Sequence, residues 1–278
     1  MKKAVAERQP FGLIKNRKEQ NMRILFLGDV VGSVGTDTVR ARLSRLKREE
    51  NIDLVLVNGE NSDNGNGVSP YSANELFIGG ADVITTGNHV YKKNAVYDYL
   101  DENEYIIRPA NYPASNPGKG YTTVFCKGKR VLIINLLGRA FMDFDARDPF
   151  ETVDMILEKE KGKYDISVLD IHAESTSEKV ALAHYFDSRI DLIVGTHTHV
   201  QTADERILPG GSAYITDLGM CGVLESALGV DFEPVIKKFR SGMPQRFTEA
   251  KGEAFLLGIV AEYDEKKSSM VSIKRIKC

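Results

Sequence analysis

Two closely spaced histidines stand where a predicted strand meets a loop. Residues 191–194 form a short apolar run typical of a buried strand, Gly195 ends it, and His197 and His199 follow. Residues two apart in an extended or bulged segment point in the same direction, so both imidazoles are expected to face one point. That point would lie at the carboxyl edge of a sheet, where α/β proteins place their chemistry. The alternative for two such histidines is a solvated loop.

Polar residues of the same kind follow four other predicted strands. One polar strand end is unremarkable, but a repeated pattern indicates a shared site at one sheet edge. Four of the five histidines in the chain belong to this set. The whole set is Asp29, Glu60, Asn61, Asn88, His89, His172, His197 and His199.

These side chains supply carboxylate, imidazole and amide ligands. Such a mixed nitrogen and oxygen set suits manganese, iron or zinc better than calcium or magnesium, and it contains no thiolate. Even seven of these eight side chains are too many ligands for one tetrahedral ion, so they predict two ions about 3.5–4 Å apart, bridged by a carboxylate and a hydroxide. A pair of this kind would activate the bridging water for in-line attack on a phosphoryl group. For any single residue, a strand-end cap or a satisfied buried polar group stays an equal alternative.

Composition restricts the class of protein. The 278 residues are 42% hydrophobic and 27% charged, as in an ordinary soluble globular protein. The net charge of −2 gives no field that would recruit nucleic acid or a membrane surface, so stable binding to either is not expected. The three cysteines form no close pair, which argues against disulfides and cysteine-bound zinc and predicts a cytoplasmic location. No apolar run approaches the roughly 18 residues of a membrane helix.

The first 21 residues differ from the rest of the chain. They hold six Lys or Arg against two Asp or Glu and show no strand or helix period. We interpret residues 1–21 as a disordered or weakly ordered extension. Residues 22–278 are predicted to form a single domain.

Strands and helices alternate in the first part of this domain, hairpins follow, and alternation then resumes. This order predicts two mixed sheets packed together with helices outside. The predicted helices are residues 36–50, 72–79, 91–103, 150–161 and 177–187. The predicted strands are residues 23–27, 53–57, 82–86, 122–127, 131–137, 166–169 and 191–194, with a final hairpin set at 213–216, 253–263 and 269–276.

Two other enzyme classes fail on spacing. Glycines 28, 32 and 35 follow the first strand, but this is not the G-x-G-x-x-G of a dinucleotide-binding turn. The chain also lacks the H-E-x-x-H of a zinc peptidase.

The strand-end blocks together resemble those of the calcineurin-like metallophosphoesterases, and more narrowly their YmdB-like branch. The similarity runs from Met22 to about Ile276. The first blocks are Gly28-Asp29, Asn58-Gly-Glu-Asn61, Gly87-Asn-His89, His172 and Gly195-Thr-His-Thr-His199. Further matching stretches are Arg108-Pro-Ala-Asn111, residues 172–179, residues 195–204 and Arg206-Ile-Leu-Pro209.

This resemblance implies an α/β fold, a four-layer α/β/β/α sandwich of two mixed sheets flanked by helices, with a dinuclear metal site. The cofactors expected are two divalent transition-metal ions, iron or manganese first and zinc as an alternative. His89 would be a general acid or a phosphate-orienting residue and not a ligand. One ion would be held by Asp29, Glu60, Asn61 and His199, and the other by Glu60 as a bridge, Asn88, His172 and His197.

The implied activity is that of a bacterial, cytoplasmic and homo-oligomeric phosphodiesterase acting on 2',3'-cyclic nucleotides and other phosphodiesters through a metal-bridging hydroxide. Two alternatives stay open: a phosphomonoesterase or protein phosphatase with the same site, and a non-catalytic nucleotide- or RNA-associated regulatory protein. The wider superfamily has Asp-x-His in its first block, whereas Asp29 is followed by two valines, and we expect Asn61 to fill that place.

A few residues around this set have two interpretations. The loop at residues 62–70 is expected to line the mouth of the site. Asp217 and Glu174 could orient imidazoles or could cap turns. Arg139 and Lys92 could contact phosphate, although a solvated position is the simpler interpretation for each.

Overall fold

Two β-sheets lie face to face at the centre of the fold in the computed structural model, which describes residues 21–278. The strands of the first half are β1 (Asn21–Leu27), β2 (Asp29–Val30), β3 (Leu54–Asn58), β4 (Val83–Thr85), β5 (Tyr121–Cys126), β6 (Lys129–Leu137) and β7 (Ile166–His172). Those of the second half are β8 (Leu192–Thr196), β9 (Arg206–Ile207), β10 (Ala213–Ile215), β11 (Met220–Val223), β12 (Ala254–Phe255), β13 (Leu257–Asp264) and β14 (Ser269–Lys277).

The helices lie outside the two sheets or at their edge. They are α1 (Gly32–Glu49), α2 (Pro70–Gly79), α3 (Val96–Glu102), α4 (Pro149–Glu160), α5 (Thr176–Phe186) and α6 (Phe232–Ser241). A serine cap starts α2, where Ser69 accepts a hydrogen bond from the Ser72 backbone and Pro70 occupies the first helical position.

Both large sheets are mixed. The five-stranded sheet has the order β14-β13-β1-β3-β4, in which β1, β3 and β4 are parallel and β13 is antiparallel to β1. The six-stranded sheet has the order β5-β6-β7-β8-β10-β9, with β6, β7, β8 and β10 parallel. The parallel strands of both sheets therefore end near the same edge, where the site is found.

The apolar core forms three layers of contact. Phe26 and Leu56 of one sheet pack against Ile133, Val168 and Val194 of the other. Residues of α1, α2 and α3 cover the outer face of the first sheet, and residues of α4 and α5 cover that of the second. Strands buried on both faces explain the near-continuous apolar runs of the sequence. The expected four-layer α/β/β/α sandwich is confirmed.

A third, small sheet and several short elements are absent from the sequence prediction. Strand β11 lies between β2, to which it is parallel, and β12, to which it is antiparallel. The strands β2, β9 and β11 are two to four residues long, too short for a two-residue hydrophobic period to stand out. Strand β12 lies inside the strand predicted at residues 253–263, which the structure divides into β12 and β13. Helix α6 was also not predicted.

Two predicted elements are corrected. The final hairpin set does not exist as one unit, because β10 pairs with β8 and β9 in the second sheet, and within the predicted set only β13 and β14 pair with each other. Hydrophobic alternation marks a strand but does not identify its partner. The helix expected at residues 91–103 begins at Val96, because the backbone after His89 forms tight turns. In these turns the backbone nitrogens of Lys92 and Val96 donate hydrogen bonds to the carbonyls three residues earlier.

The first described residue, Asn21, is already part of a β-sheet. Asn21 already pairs with Asp264 in the first sheet, whereas the extension expected at residues 1–21 otherwise lies outside the described residues. Within residues 21–278, no helix combines the length and the apolar character needed to cross a membrane.

Candidate metal centre

The structure brings the eight candidate residues to one edge of the two sheets. Asp29 lies in β2, His172 is the last residue of β7, and the others follow β3, β4 or β8 at their carboxyl ends. Asp29, Glu60 and His172 are fully buried. The first sheet contributes Glu60, Asn61, Asn88 and His89, and the second contributes His172, His197 and His199.

His172 lies at the centre of one half of the site. Its Nε2 atom is 2.5 Å from Glu60 Oε2, 3.1 Å from Asn88 Oδ1 and 3.0 Å from His197 Nδ1. One ring nitrogen cannot satisfy three such partners by hydrogen bonding alone. Ligands that each lie about 2.0–2.2 Å from a common ion have separations of this size. Glu60, His172 and His197 therefore offer ligand atoms that could surround one cation.

A hydrogen-bonded chain behind His172 sets its tautomer. Thr196 donates its hydroxyl hydrogen to Asp170 Oδ1 at 2.8 Å, so its oxygen can accept from His172 Nδ1 at 2.9 Å. Asp170 also accepts from Thr85 at 2.5 Å and from Asn58 at 3.0 Å. With its proton on Nδ1, a neutral His172 presents the Nε2 lone pair to the site.

The other half of the site contains Asp29, Asn61 and His199. His199 Nε2 is 3.8 Å from Asp29 Oδ1 and 3.2 Å from the Asn61 amide nitrogen. His199 Nδ1 donates to the Leu228 carbonyl at 3.1 Å, which leaves Nε2 as the ligating nitrogen. Exchanging the nitrogen and oxygen of the Asn61 amide would turn its oxygen toward this group, where it could act as a ligand.

His89 stands beside these ligands. Its Nδ1 lies 3.0 Å from both Asn61 Oδ1 and Glu60 Oε1, and its backbone nitrogen donates to the same Glu60 oxygen at 3.1 Å. Nε2 is then the ring nitrogen that can meet a ligand in the adjoining cavity, which His89 helps to line.

The histidine loop is not an extended segment. His197 has a φ of 101° and His199 a φ of 64°, both in the region that non-glycine residues rarely adopt. Thr198 between them donates its backbone nitrogen at 3.1 Å and its hydroxyl at 2.8 Å to Asp217 Oδ2. Asp217 is paired at 2.7 Å with Lys179, and both side chains are buried. This pair holds the loop in its strained form.

Burial and neighbouring charges shift the pKa values of the site in opposite directions. Burial raises the pKa of Asp29. Burial alone would also raise the pKa of Glu60, but the imidazoles of His172 and His89 outweigh it and hold that pKa well below its usual range. Burial works against the charged form of His172, yet Glu60 and Asp29 raise its pKa to about 9. Burial and the neighbouring His172 lower the pKa of His197 to about 3.

Two buried carboxylate oxygens make the case for a cation. Among the described residues Asp29 Oδ1 has no hydrogen-bond donor, and Glu60 Oε2 has none when His172 is neutral with its proton on Nδ1. A buried anionic oxygen without a partner is costly, and a divalent ion would satisfy both. The position next to these two residues also requires a glycine, because a Cβ atom at Gly87 would lie 1.6 Å from Glu60 Oε2 and 2.4 Å from His172 Nε2. The residues present fit a divalent metal ion.

The supporting residues considered in the sequence have clear positions. Glu174 Oε2 lies 3.1 Å from His197 Nε2, so it contacts an imidazole. Asp217 contacts Thr198 and Lys179 instead. Arg139 is exposed and pairs with Asp145, and Lys92 is exposed. Neither of these two cations lines the cavity at the site.

A cavity of about 890 Å³ opens onto the candidate ligands. Residues 64–66 line it, as expected for the loop after β3. Residues of α6 and residues 247–249 also line it, and sequence reasoning missed these. Apolar residues at 232, 235, 236 and 239 have the spacing of one helical face, a signal that could have revealed α6.

The comparisons with known proteins agree with one another over almost the whole chain. A family profile described as "YmdB-like protein" matches residues 25–276. A protein of Bacillus subtilis (strain 168) named 2',3'-cyclic-nucleotide 2'-phosphodiesterase is 45% identical over 255 residues, covering 92% of this chain and 96% of that protein.

Solved structures are similar to the same extent. The crystal structure of a hypothetical protein from Thermus thermophilus is 39% identical with a TM-score of 0.87, covering 92% of this chain and 99% of that one. That of a novel phosphatase from Mycoplasma pneumoniae is 34% identical with a TM-score of 0.87, covering 93% of each chain.

Proposed function

The chain belongs to the YmdB-like protein family, and from this membership and the geometry of its site we propose that it is a metal-dependent phosphodiesterase hydrolysing 2',3'-cyclic nucleotides. The observation that carries the proposal is the convergence of Glu60, Asn88 and His197 on His172 Nε2 at the end of an open cavity. The name of the Bacillus subtilis relative supplies the substrate class.

We assign the metal ligands as two groups that share Glu60. Bound divalent ions would polarise the phosphoryl oxygens and make a water molecule acidic enough to act as the nucleophile at neutral pH. The mixed imidazole, carboxylate and amide donors suit manganese or iron, with zinc as the alternative. The first group is Asp29, Glu60, Asn61 and His199, and the second is Glu60, Asn88, His172 and His197.

His89 is assigned as the proton donor. Asn61 and Glu60 hold its Nδ1 edge, so the ring presents Nε2 to the cavity without being a ligand. There it can give a proton to the ribose oxygen that leaves phosphorus, or stabilise a phosphoryl oxygen. This role separates His89 from the ligands, whose loss would remove the cation itself.

The protein is further proposed to work as a cytoplasmic homo-oligomer. Its three cysteines are all free, which fits a reducing compartment. A closed symmetric assembly is the usual form of soluble oligomeric enzymes.

The direct test is hydrolysis of 2',3'-cyclic AMP by protein loaded with Mn(II). The same preparation is assayed with 3',5'-cyclic AMP and with a simple phosphomonoester, each with and without a chelator. We expect chelator-sensitive turnover of the 2',3'-ring well above the other two. Turnover mainly of the monoester would make the protein a phosphomonoesterase with the same site. Nucleotide binding without turnover at full metal occupancy would instead favour a regulatory protein.

A further inference from the structure

One wall of the cavity is apolar although it faces solvent. Helix α6 contributes Val235 and Phe239 to this wall, and the chain on either side contributes Leu228 and Phe247. None of the residues of α6 is buried. The helix therefore presents Val235 and Phe239 to the cavity and buries no residue in the core.

The two aromatic side chains of this wall are open to a ligand. Phe239 is 82% exposed and Phe247 is 43% exposed. Exposed apolar groups gathered around a concave site mark a binding surface, because each gains free energy when a ligand removes it from water. The wall is therefore suited to bind a ligand with a large apolar or aromatic surface.

The residues that line the cavity are of two chemical kinds. His89, His197 and His199 belong to the candidate metal centre, and Phe239 and Phe247 are aromatic. A ligand that contacts both kinds must join a phosphoester to a flat aromatic group. The volume of about 890 Å³ lies within the range of small-molecule sites and leaves space for more than a phosphate.

Polar groups near the aromatic wall suit a heterocycle better than a hydrocarbon. Lys238 Nζ lies 5.2 Å from the centroid of the Phe247 ring, so a positive charge stands beside the aromatic surface. Asn64 and Asn66 also line the cavity, and their amides can both donate and accept hydrogen bonds. A nucleobase has a π-face that can stack on the phenylalanine rings and a polar edge that can bond to the asparagine amides.

We propose that Phe239 and Phe247 form the nucleobase subsite of the enzyme, on which the base stacks while the cyclic phosphate reaches the metal centre. This inference rests on the proposed function and adds to it the residues that favour a nucleotide over other phosphodiesters. Stacking on aromatic side chains tolerates any base, because every base has a π-face. The enzyme should then distinguish cyclic phosphates with a base from those without one, more than it distinguishes adenine from uracil.

The experiment compares two substrates that share the five-membered cyclic phosphate, 2',3'-cyclic AMP and glycerol 1,2-cyclic phosphate, which has no base. In Phe239→Ala and Phe247→Ala we expect kcat/KM for the nucleotide to fall by about 10- to 100-fold, mainly through KM. The value for the glycerol compound should stay within about twofold. Phe239→Tyr, which keeps the ring, should retain most of the nucleotide activity.

Matched controls come from the same helix and the same residue type. Ile236 on α6 is 52% exposed but does not line the cavity, so Ile236→Ala should leave both substrates unchanged. Phe125 in β5 is an exposed phenylalanine that also lies outside the cavity lining, and Phe125→Ala should behave like the wild type.

The outcomes separate this inference from the proposed function. Equal losses on both substrates, or no loss on either, would overturn the subsite and leave the phosphodiesterase intact. If the wild type hydrolyses neither compound, the proposed function fails, and calorimetric binding of adenosine 3'-monophosphate to wild type and Phe239→Ala still decides the subsite. Dissociation of an oligomer in both phenylalanine variants, without substrate discrimination, would assign the wall to a second copy of the chain and also overturn the inference.

Discussion

The hydroxyl of Thr196 decides which nitrogen of His172 can bind a cation. Because Thr196 donates to Asp170, its oxygen is left to accept from His172 Nδ1. Three donors in turn hold Asp170, which is fully buried. Partners of this kind fix the ring orientation and the basicity of a ligating imidazole. The metal affinity of the site should therefore depend on a residue that does not itself contact the cation.

Thr196→Val keeps the shape of the side chain and removes the hydrogen bond to His172. We expect metal affinity to fall about 10- to 100-fold, the usual cost of losing such a partner. Calorimetric titration with Mn(II) measures this. Thr85→Val is the matched control, because Thr85 also bonds to Asp170 but does not contact His172. A comparable loss of affinity in both variants would contradict the role assigned to Thr196.

Replacing His89 and replacing His172 should have different effects. His89→Ala removes the proposed proton donor and should lower kcat about 10²- to 10⁴-fold, the range for general acid catalysis, with metal content near normal. His172→Ala removes a central ligand and should lose metal and activity together. Metal analysis of the purified variants beside their turnover numbers distinguishes the two. An emptied site in His89→Ala would show that His89 is a ligand.

At the scale of elements, a buried ion pair connects α5 to the loop after β8. Lys179 extends from α5 to Asp217, and Asp217 accepts both hydrogen bonds from Thr198. Positive φ angles at His197 and His199 carry a cost that surrounding contacts must offset. The position of both imidazoles thus depends on a helix that contributes no ligand.

Lys179→Met should destabilise the protein because it leaves the carboxylate of Asp217 buried without its counter-charge. The expected loss is about 3–5 kcal/mol of unfolding free energy, measured by urea denaturation, together with weaker metal binding. Adding Asp217→Asn removes the stranded charge and should recover part of the stability. Lys161→Met is the control, since Lys161 makes only an exposed pair with Glu158 and should change stability by less than about 1 kcal/mol. Equal effects of Lys179→Met and Lys161→Met would refute this account of the loop.

The turn after β4 can be tested with one methyl group. Gly87→Ala places a carbon in the space between Glu60 and His172, so we expect metal binding to be lost in calorimetric titration. Gly222→Ala serves as the comparison, because its added Cβ would lie 3.6 Å from Val31, an ordinary contact. If Gly87→Ala still binds metal with unchanged affinity, the ligand geometry described for this site is incorrect.

On the scale of the whole molecule, the layers that hold the fold are separate from the site. The core between the sheets is built from aliphatic and aromatic side chains that do not include the candidate ligands. The metal-free protein should consequently keep its fold, while the ion adds stability through binding to the native state alone.

Removal of metal should lower the melting temperature without unfolding the protein. At a free metal concentration about 100 times Kd, binding contributes about 2.7 kcal/mol. For a chain of this size that corresponds to a decrease of about 5 °C on adding chelator. Scanning calorimetry gives the shift, and far-UV circular dichroism at 25 °C should be unchanged. Loss of the circular dichroism signal in chelator would show that the cation is part of the fold.

The sequence was sufficient to predict the layers from the order of strands and helices. It was also sufficient to select the candidate residues, because these stand at strand ends. Buried runs such as β7 and β8 mark parallel strands, and polar residues after them share an edge by topology. Three features could not be read in this way. The partner of β10 depends on packing, the positive φ angles at His197 and His199 depend on Asp217, and the cavity wall depends on where α6 lies relative to the loop after β3.

The burial of the candidate ligands limits the route by which a metal ion can enter or leave the protein. Asp29, Glu60 and His172 have no exposure, whereas the side chains of His199, His197 and His89 are 13%, 22% and 31% exposed on the cavity side. An ion entering or leaving the folded chain must therefore pass through the opening that admits the substrate. A nucleotide bound in this opening would block the path of the ion, so the enzyme should lose its metal to a chelator more slowly during turnover than in the absence of substrate.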